Sequence, residues 1–139
     1  MSESQRDVGA EGLRILVVDD SPIMRKMVIH SLKVAGISVA RVAQAAHGGE
    51  ALALISEVTP HVVLCDVHMP TMDGMELVRS LADLGRIAAL RVVMISSERN
   101  EAQQRELEAL GVRAYLHKPF YPEALGKVVR EVLGQKEAS

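Results

Sequence analysis

The chain has 139 residues, 48% hydrophobic and 24% charged, the size and balance of one domain with a sizeable core; this excludes multidomain enzymes and disordered chains. Sixteen basic against eighteen acidic side chains leave a net charge of -2, so no global positive field exists to hold nucleic acid or an anionic membrane. A single cysteine, Cys65, rules out an internal disulfide, and no apolar run approaches the ~20 residues of a membrane span, which together suit a soluble chain in a reducing, cytoplasmic compartment.

The first twelve residues, MSESQRDVGAEG, lack the apolar stretch of a signal peptide and read as a flexible tail; the domain is expected over 13–134, with a second tail at 135–139. From Leu13 onward, short runs rich in Val, Ile and Leu alternate with longer segments whose apolar residues recur at three and four. This is β/α alternation, and its strands read as parallel. Strands are expected at 13–18, 39–45, 61–65, 91–95 and 112–116, the second being Ala-rich and weakest. Cys65 ends an apolar run and reads as a small buried hydrophobe.

The first helix opens at Ser21-Pro22, where the serine can cap orphan N–H groups and the proline sacrifices none that was paired. Met24, Met27, Val28, Leu32 and Ala35 fall on one face, and Gly36 stands where a left-handed residue ends the helix. Further helices are expected at 49–58, 74–84, 101–110 and 123–133. The three aromatics, Tyr115, Phe120 and Tyr121, lie in one short stretch.

In a parallel sheet wound by right-handed crossovers, ligand sites form outside the carboxyl ends of the strands. Asp19 and Asp20 follow the first expected strand, Asp66 the third, Ser96 and Ser97 the fourth, and Lys118-Pro119 the fifth. Each alone has a structural reading: helix caps for the acids and serines, a solvated cation for the lysine. Together, three carboxylates at one edge repel and raise one another's pKa unless a cation neutralises them. A hard divalent ion such as Mg²⁺ suits oxygen ligands, and Lys118 is then available to an anion. Metal, lysine and hydroxyl around a remaining carboxylate suit phosphoryl transfer with Asp66 as nucleophile.

The runs ILVVDDSPIMRKM, VVLCDVHMPTMDGMEL, VVMISSERN and AYLHKPF, in that order at strand ends, resemble the receiver domain of two-component response regulators, especially the stand-alone chemotaxis (CheY-like) type. The resemblance covers about 14–133. It implies a doubly wound (βα)5 fold with a five-stranded parallel sheet of flavodoxin-like order 2-1-3-4-5. It implies that Asp66 accepts a phosphoryl group from a sensor histidine kinase, a phosphotransfer protein or a small donor such as acetyl phosphate. Asp20, Asp66 and the His68 backbone carbonyl would ligate Mg²⁺, with Asp19 acting through water. Lys118 would pair with the phosphoryl oxygens and Ser96 would swing to meet them. Tyr115 would then turn inward, changing the surface of the fourth helix, fifth strand and fifth helix that binds a downstream protein. The Lys118-Pro119 peptide would be cis. The molecule would be a monomer or a phosphorylation-dependent dimer, with no nucleic-acid partner and no membrane insertion, acting on no separate substrate.

His68 departs from the asparagine often found there in chemotaxis proteins, and with Glu98 it is expected to tune the lifetime of the aspartyl phosphate. The other histidines lack ligand spacing. Two alternatives stay open: a receiver module cut from a longer response regulator or hybrid kinase, and a Mg²⁺-dependent aspartyl-phosphate phosphohydrolase. The second would want an acid at position 68, and the sequence has histidine there.

Overall fold

The computed structural model describes residues 12–69 and 72–134; the tails expected at 1–12 and 135–139 fall outside these, Gly12 excepted. Five strands, β1 (Arg14–Val18), β2 (Arg41–Ala45), β3 (Val62–Asp66), β4 (Arg91–Ser96) and β5 (Ala114–His117), form one sheet. Its order is β2-β1-β3-β4-β5 and every pairing is parallel, the doubly wound arrangement that the sequence implied. The helices are α1 (Pro22–Val34), α2 (Gly48–Val58), α3 (Gly74–Asp83), α4 (Glu101–Leu110) and α5 (Pro122–Gly134), with a short 3₁₀ turn at Ile87–Ala89.

Alternation along the strands sorts the apolar side chains between two cores. Leu16, Val18, Val63, Cys65 and Met94 pack under α2, α3 and α4 with Ile55, Leu77, Leu81 and Leu107. Ile15, Val17, Leu64, Val93 and Ile95 pack under α1 and α5 with Val28, Leu32, Leu125 and Val129. β3 is buried along its whole length, as a strand covered on both faces must be. Removing a side chain such as Leu64 or Leu81 from water contributes about 2 kcal/mol each.

Local chemistry sets the helix ends. Ser21 Oγ accepts the Met24 N–H at 3.2 Å with Pro22 in the first turn. At the other end Gly36 adopts φ +80°, which lets the Ile37 N–H reach back to Leu32 O at 3.0 Å. Asp73 and Asn100 cap α3 and α4. The helix-capping reading of Ser96 and Ser97 therefore falls away, because Asn100 does that work.

Several details differ from expectation. β1 and β3 start one residue later than expected, at Arg14 and Val62. β5 runs over 114–117 where 112–116 was expected, because the Val112 N–H turns back to Leu107 O at the end of α4. β2 starts at Arg41, not Val39, because the Ala40 and Arg41 N–H groups both turn to Leu13 O. β3 and β4 run one residue further than expected, so Asp66 and Ser96 are the last residues of their strands, held in the ladder. Met27, expected in the core with Val28 and Leu32, is 55% exposed, because the α1 stripe facing the sheet runs through Val28 and Leu32.

Candidate functional site

The carboxyl ends of β1, β3, β4 and β5 bring Asp19, Asp20, Asp66, Ser96 and Lys118 to one edge. Asp19 leaves β1 with its N–H bonded to Ala45 O at 3.0 Å, and its Oδ1 accepts the Ser21 N–H at 2.9 Å. That bond ties the carboxylate to the start of α1 and buries it, while Asp20 beside it is exposed. Asp66 ends the central strand. Its Oδ1 is 3.6 Å from Lys118 Nζ and 3.4 Å from the His68 backbone N–H, and Lys118 Nζ is 3.5 Å from Asp19 Oδ2. One ammonium thus bridges the two buried acids. It is delivered by the turn after β5, where the Lys118-Pro119 peptide is cis and the Lys118 N–H bonds to Ser96 O at 2.8 Å.

Asp19, Asp20 and Asp66 each present a carboxylate oxygen within 4.8 Å of the others. Burial pushes the Asp66 carboxyl above the ordinary carboxylate value; the Asp19 charge adds to this, and Lys118 and the His68 N–H oppose it without cancelling it. Three acids against one lysine leave a net negative cup of oxygen donors, the donor chemistry that a hard divalent cation fits. Cys65, one residue before Asp66, is fully buried and its thiol is pushed up by that burial and by the neighbouring carboxylates, so it stays a protonated hydrophobe.

Ser96 is fully buried and its Oγ accepts the Glu98 N–H at 3.1 Å. In the ladder it stands opposite His117 on β5, and Met94 opposite Tyr115. Tyr115 is half-buried, its ring tilted 52° to that of His117 at 5.1 Å and its hydroxyl 3.5 Å from Glu98 O. Across the mouth of the site, His68 Nε2 lies 3.4 Å from Glu98 Oε2. The remaining histidines hold structure or face solvent: His47 caps α2, His61 Nδ1 accepts the Arg14 N–H at 3.0 Å, and His30 is exposed.

Gly74 has a role at this edge that its residue type alone did not signal. Its N–H bonds to Val67 O at 2.8 Å, and a Cβ there would lie 2.5 Å from Asp66 O. The start of α3 is thereby pressed against the end of β3.

Residues 15–130 match the family model of the response regulator receiver domain. The chain belongs to that family. It is 32% identical over 126 residues to the chemotaxis protein CheY1 of Helicobacter pylori, covering 90% of this chain and all of that protein. Protein PilH of Pseudomonas aeruginosa is 33% identical over 120 residues, 86% of this chain and 97% of PilH. Among solved structures, chemotaxis protein CheY4 of Vibrio cholerae superposes with a TM-score of 0.76 at 36% identity, over 86% of this chain and 98% of CheY4. The chain is a CheY-like receiver domain of a two-component system. Among the described residues no helix is long and apolar enough to cross a membrane.

Proposed function

We propose that this receiver, over 13–134, is a phosphorylation-dependent switch in which Asp66 takes a phosphoryl group from a histidine kinase or phosphotransfer protein. The observation that carries this reading is Lys118 Nζ at 3.5 and 3.6 Å from Asp19 and Asp66, inside a cup of three carboxylates. Lys118 and the His68 N–H both engage Asp66 Oδ1, which leaves Oδ2 as the oxygen that attacks phosphorus. Attack on phosphorus forms the acyl phosphate as the P–N bond of a phosphohistidine, or the P–O bond of acetyl phosphate, breaks with its electron pair leaving on the donor. Lys118 then holds the new phosphoryl oxygens, and the Ser96 hydroxyl leaves the Glu98 N–H to meet them. Mg²⁺, held by Asp20, Asp66 and the His68 carbonyl with Asp19 behind, would neutralise the carboxylates and draw charge from the phosphoryl oxygens.

The phosphoryl group adds a charge of roughly -1.5 to -2 at an edge already acidic. Displacement of Ser96 opens space beside Tyr115, which turns in and alters the α4–β5–α5 face that a downstream protein reads. α4 is suited to moving, since Leu107 is its one fully buried residue, whereas α3 buries five positions. Beside the site an apolar cleft of about 320 Å³ is lined by Met24, Met27, Pro119 and Phe120, with Ile23 and Tyr121 exposed nearby; this rim is where the donor protein docks. Relatives named for chemotaxis support a place in that kind of signalling; the proposed setting is the cytoplasm, with the chain a monomer or a phosphorylation-dependent dimer.

The test is incubation with acetyl phosphate and Mg²⁺ followed by intact-mass measurement. Wild type should gain one phosphoryl group and Asp66→Ala none; labelling of the variant, or no labelling of wild type by any donor, would overturn the reading. Lys118→Ala should accept phosphate more slowly and leave the α4–β5–α5 face unchanged by NMR.

A further inference from the structure

β5 ends on a residue that the phosphoryl chemistry described above does not use. His117 is the last residue of that strand, directly before Lys118, and stands in register with Ser96 of β4. Register partners in a parallel pair point their side chains to the same face of the sheet, and so do residues two apart along one strand. His117, Ser96 and Tyr115 therefore share a face, the one on which Tyr115 packs against Met94 and the core under α2, α3 and α4. The Tyr115 ring lies 5.1 Å from that of His117, tilted by 52°. The imidazole is thus the neighbour of both side chains that the switch would move, Ser96 across the ladder and Tyr115 along the strand.

One nitrogen of this ring is left over. His117 Nδ1 is buried without a hydrogen bond, and so is Gln103 Oε1 on α4. A buried polar atom without a partner costs free energy, so an arrangement that leaves one is disfavoured against an arrangement that pairs it. Both hydroxyls beside the imidazole are turned to the backbone of Glu98 instead. Ser96 Oγ accepts the Glu98 N–H at 3.1 Å, and the Tyr115 hydroxyl is 3.5 Å from Glu98 O. In its Nε2–H tautomer the ring offers Nδ1 as an acceptor, which suits an incoming O–H. Space vacated by Ser96 borders His117, and Tyr115 is the hydroxyl next to it.

We propose that His117 is a positioning residue of the switch, whose Nδ1 accepts the Tyr115 hydroxyl once Ser96 has moved and so favours the turned-in ring. This rests on the phosphorylation-dependent reading of Asp66, Ser96 and Tyr115 above. The resting packing then withholds one hydrogen bond that the phosphorylated state makes, and one neutral hydrogen bond biases a two-state equilibrium about fivefold. His117 acts through Tyr115 and touches no phosphoryl oxygen.

The experiment uses the full chain with Tyr121→Phe, which leaves Tyr115 its one tyrosine, and isotope-labelled tyrosine read by NMR. Beryllofluoride with Mg²⁺ stands in for the phosphoryl group, and its fluorine signal reports the loading of Asp66. In the loaded protein the inward-to-outward ratio of the Tyr115 ring should fall about fivefold in His117→Leu, which keeps bulk and removes the nitrogen. His117→Asn, whose side-chain amide places a polar atom near Nδ1, should restore most of that ratio. Labelling by acetyl phosphate should stay within about twofold of the parent chain in both variants. A His117→Leu ratio equal to the parent's, or the same loss in His117→Asn as in His117→Leu, would overturn the proposal and leave the switch itself standing. A parent chain that does not load, or loads without moving the Tyr115 signal, would overturn the phosphorylation reading and this proposal with it.

Discussion

As the proposed phosphoacceptor, Asp66 combines two demands that conflict. A nucleophile must be ionised, yet burial at the end of β3 and the nearby Asp19 charge raise its pKa from the ordinary 3.8. A carboxyl whose folded-state pKa lies above its unfolded value favours the fold when protonated, and that contribution is lost as pH rises through the folded pKa. Asp66→Asn, which is neutral throughout, should therefore melt higher than wild type at neutral pH, by roughly 3–5 °C. The gain should vanish below about pH 3.8, where both chains are uncharged at this position. Thermal melts of both proteins without Mg²⁺ across that range check the sign; a lower melting temperature for Asp66→Asn at pH 7 would show that the lysine pair outweighs burial. His68 is the other residue with a consequence of its own. It meets Glu98 at 3.4 Å over the mouth of the site, so His68→Asn should change the dephosphorylation rate severalfold, measured by decay of the phosphorylated mass; equal rates would remove the pair from the kinetics.

At the scale of elements, the start of α3 is pinned by contact rather than by propensity. A Cβ on Gly74 would meet Asp66 O at 2.5 Å and Val67 Cα at 2.9 Å, both backbone atoms that cannot swing aside. Gly74→Ala should cost about 2–3 kcal/mol in denaturant unfolding, as overpacking does. It should also slow phosphorylation, because the strand end carrying Asp66 must move. This glycine could not be read from sequence as anything but a helix start, since a close approach is a property of two elements and only the fold brings them together. The strands and helices themselves were legible, because alternation and the three-and-four spacing are local, and so was each site residue as a strand-end residue. Strand bounds erred where backbone donors turn elsewhere, as Ala40 does toward Leu13. Met27 erred because periodicity places a residue on a face without saying how wide the covered stripe is. α4 yields a further prediction. With Leu107 its one fully buried residue, its amides should exchange with solvent faster than those of α3 or α5, measured by native-state hydrogen exchange.

For the whole molecule, the proposed phosphotransfer raises the question of how a donor protein finds one carboxylate on a domain with little net charge. Long-range steering is weak at a net charge of -2, so recognition has to come from a surface near Asp66. Among the described residues five large apolar side chains are exposed, and four of them, Ile23, Met27, Val34 and Tyr121, belong to α1 and the turn before α5, the elements flanking the apolar cleft beside Lys118. Met24, Met27 and Phe120 offer that cleft flexible and aromatic walls, suited to an apolar side chain of a partner helix. A small donor such as acetyl phosphate needs none of this surface. Ile23→Ser with Met27→Ser should therefore slow transfer from the phosphorylated donor protein at least tenfold, while labelling by acetyl phosphate stays within about twofold of wild type. Both positions face solvent, so the fold should be unaffected, and a melting curve on the same samples verifies it. Equal loss with both donors would place the effect in the acidic cup, and no loss with either would remove α1 from the docking surface.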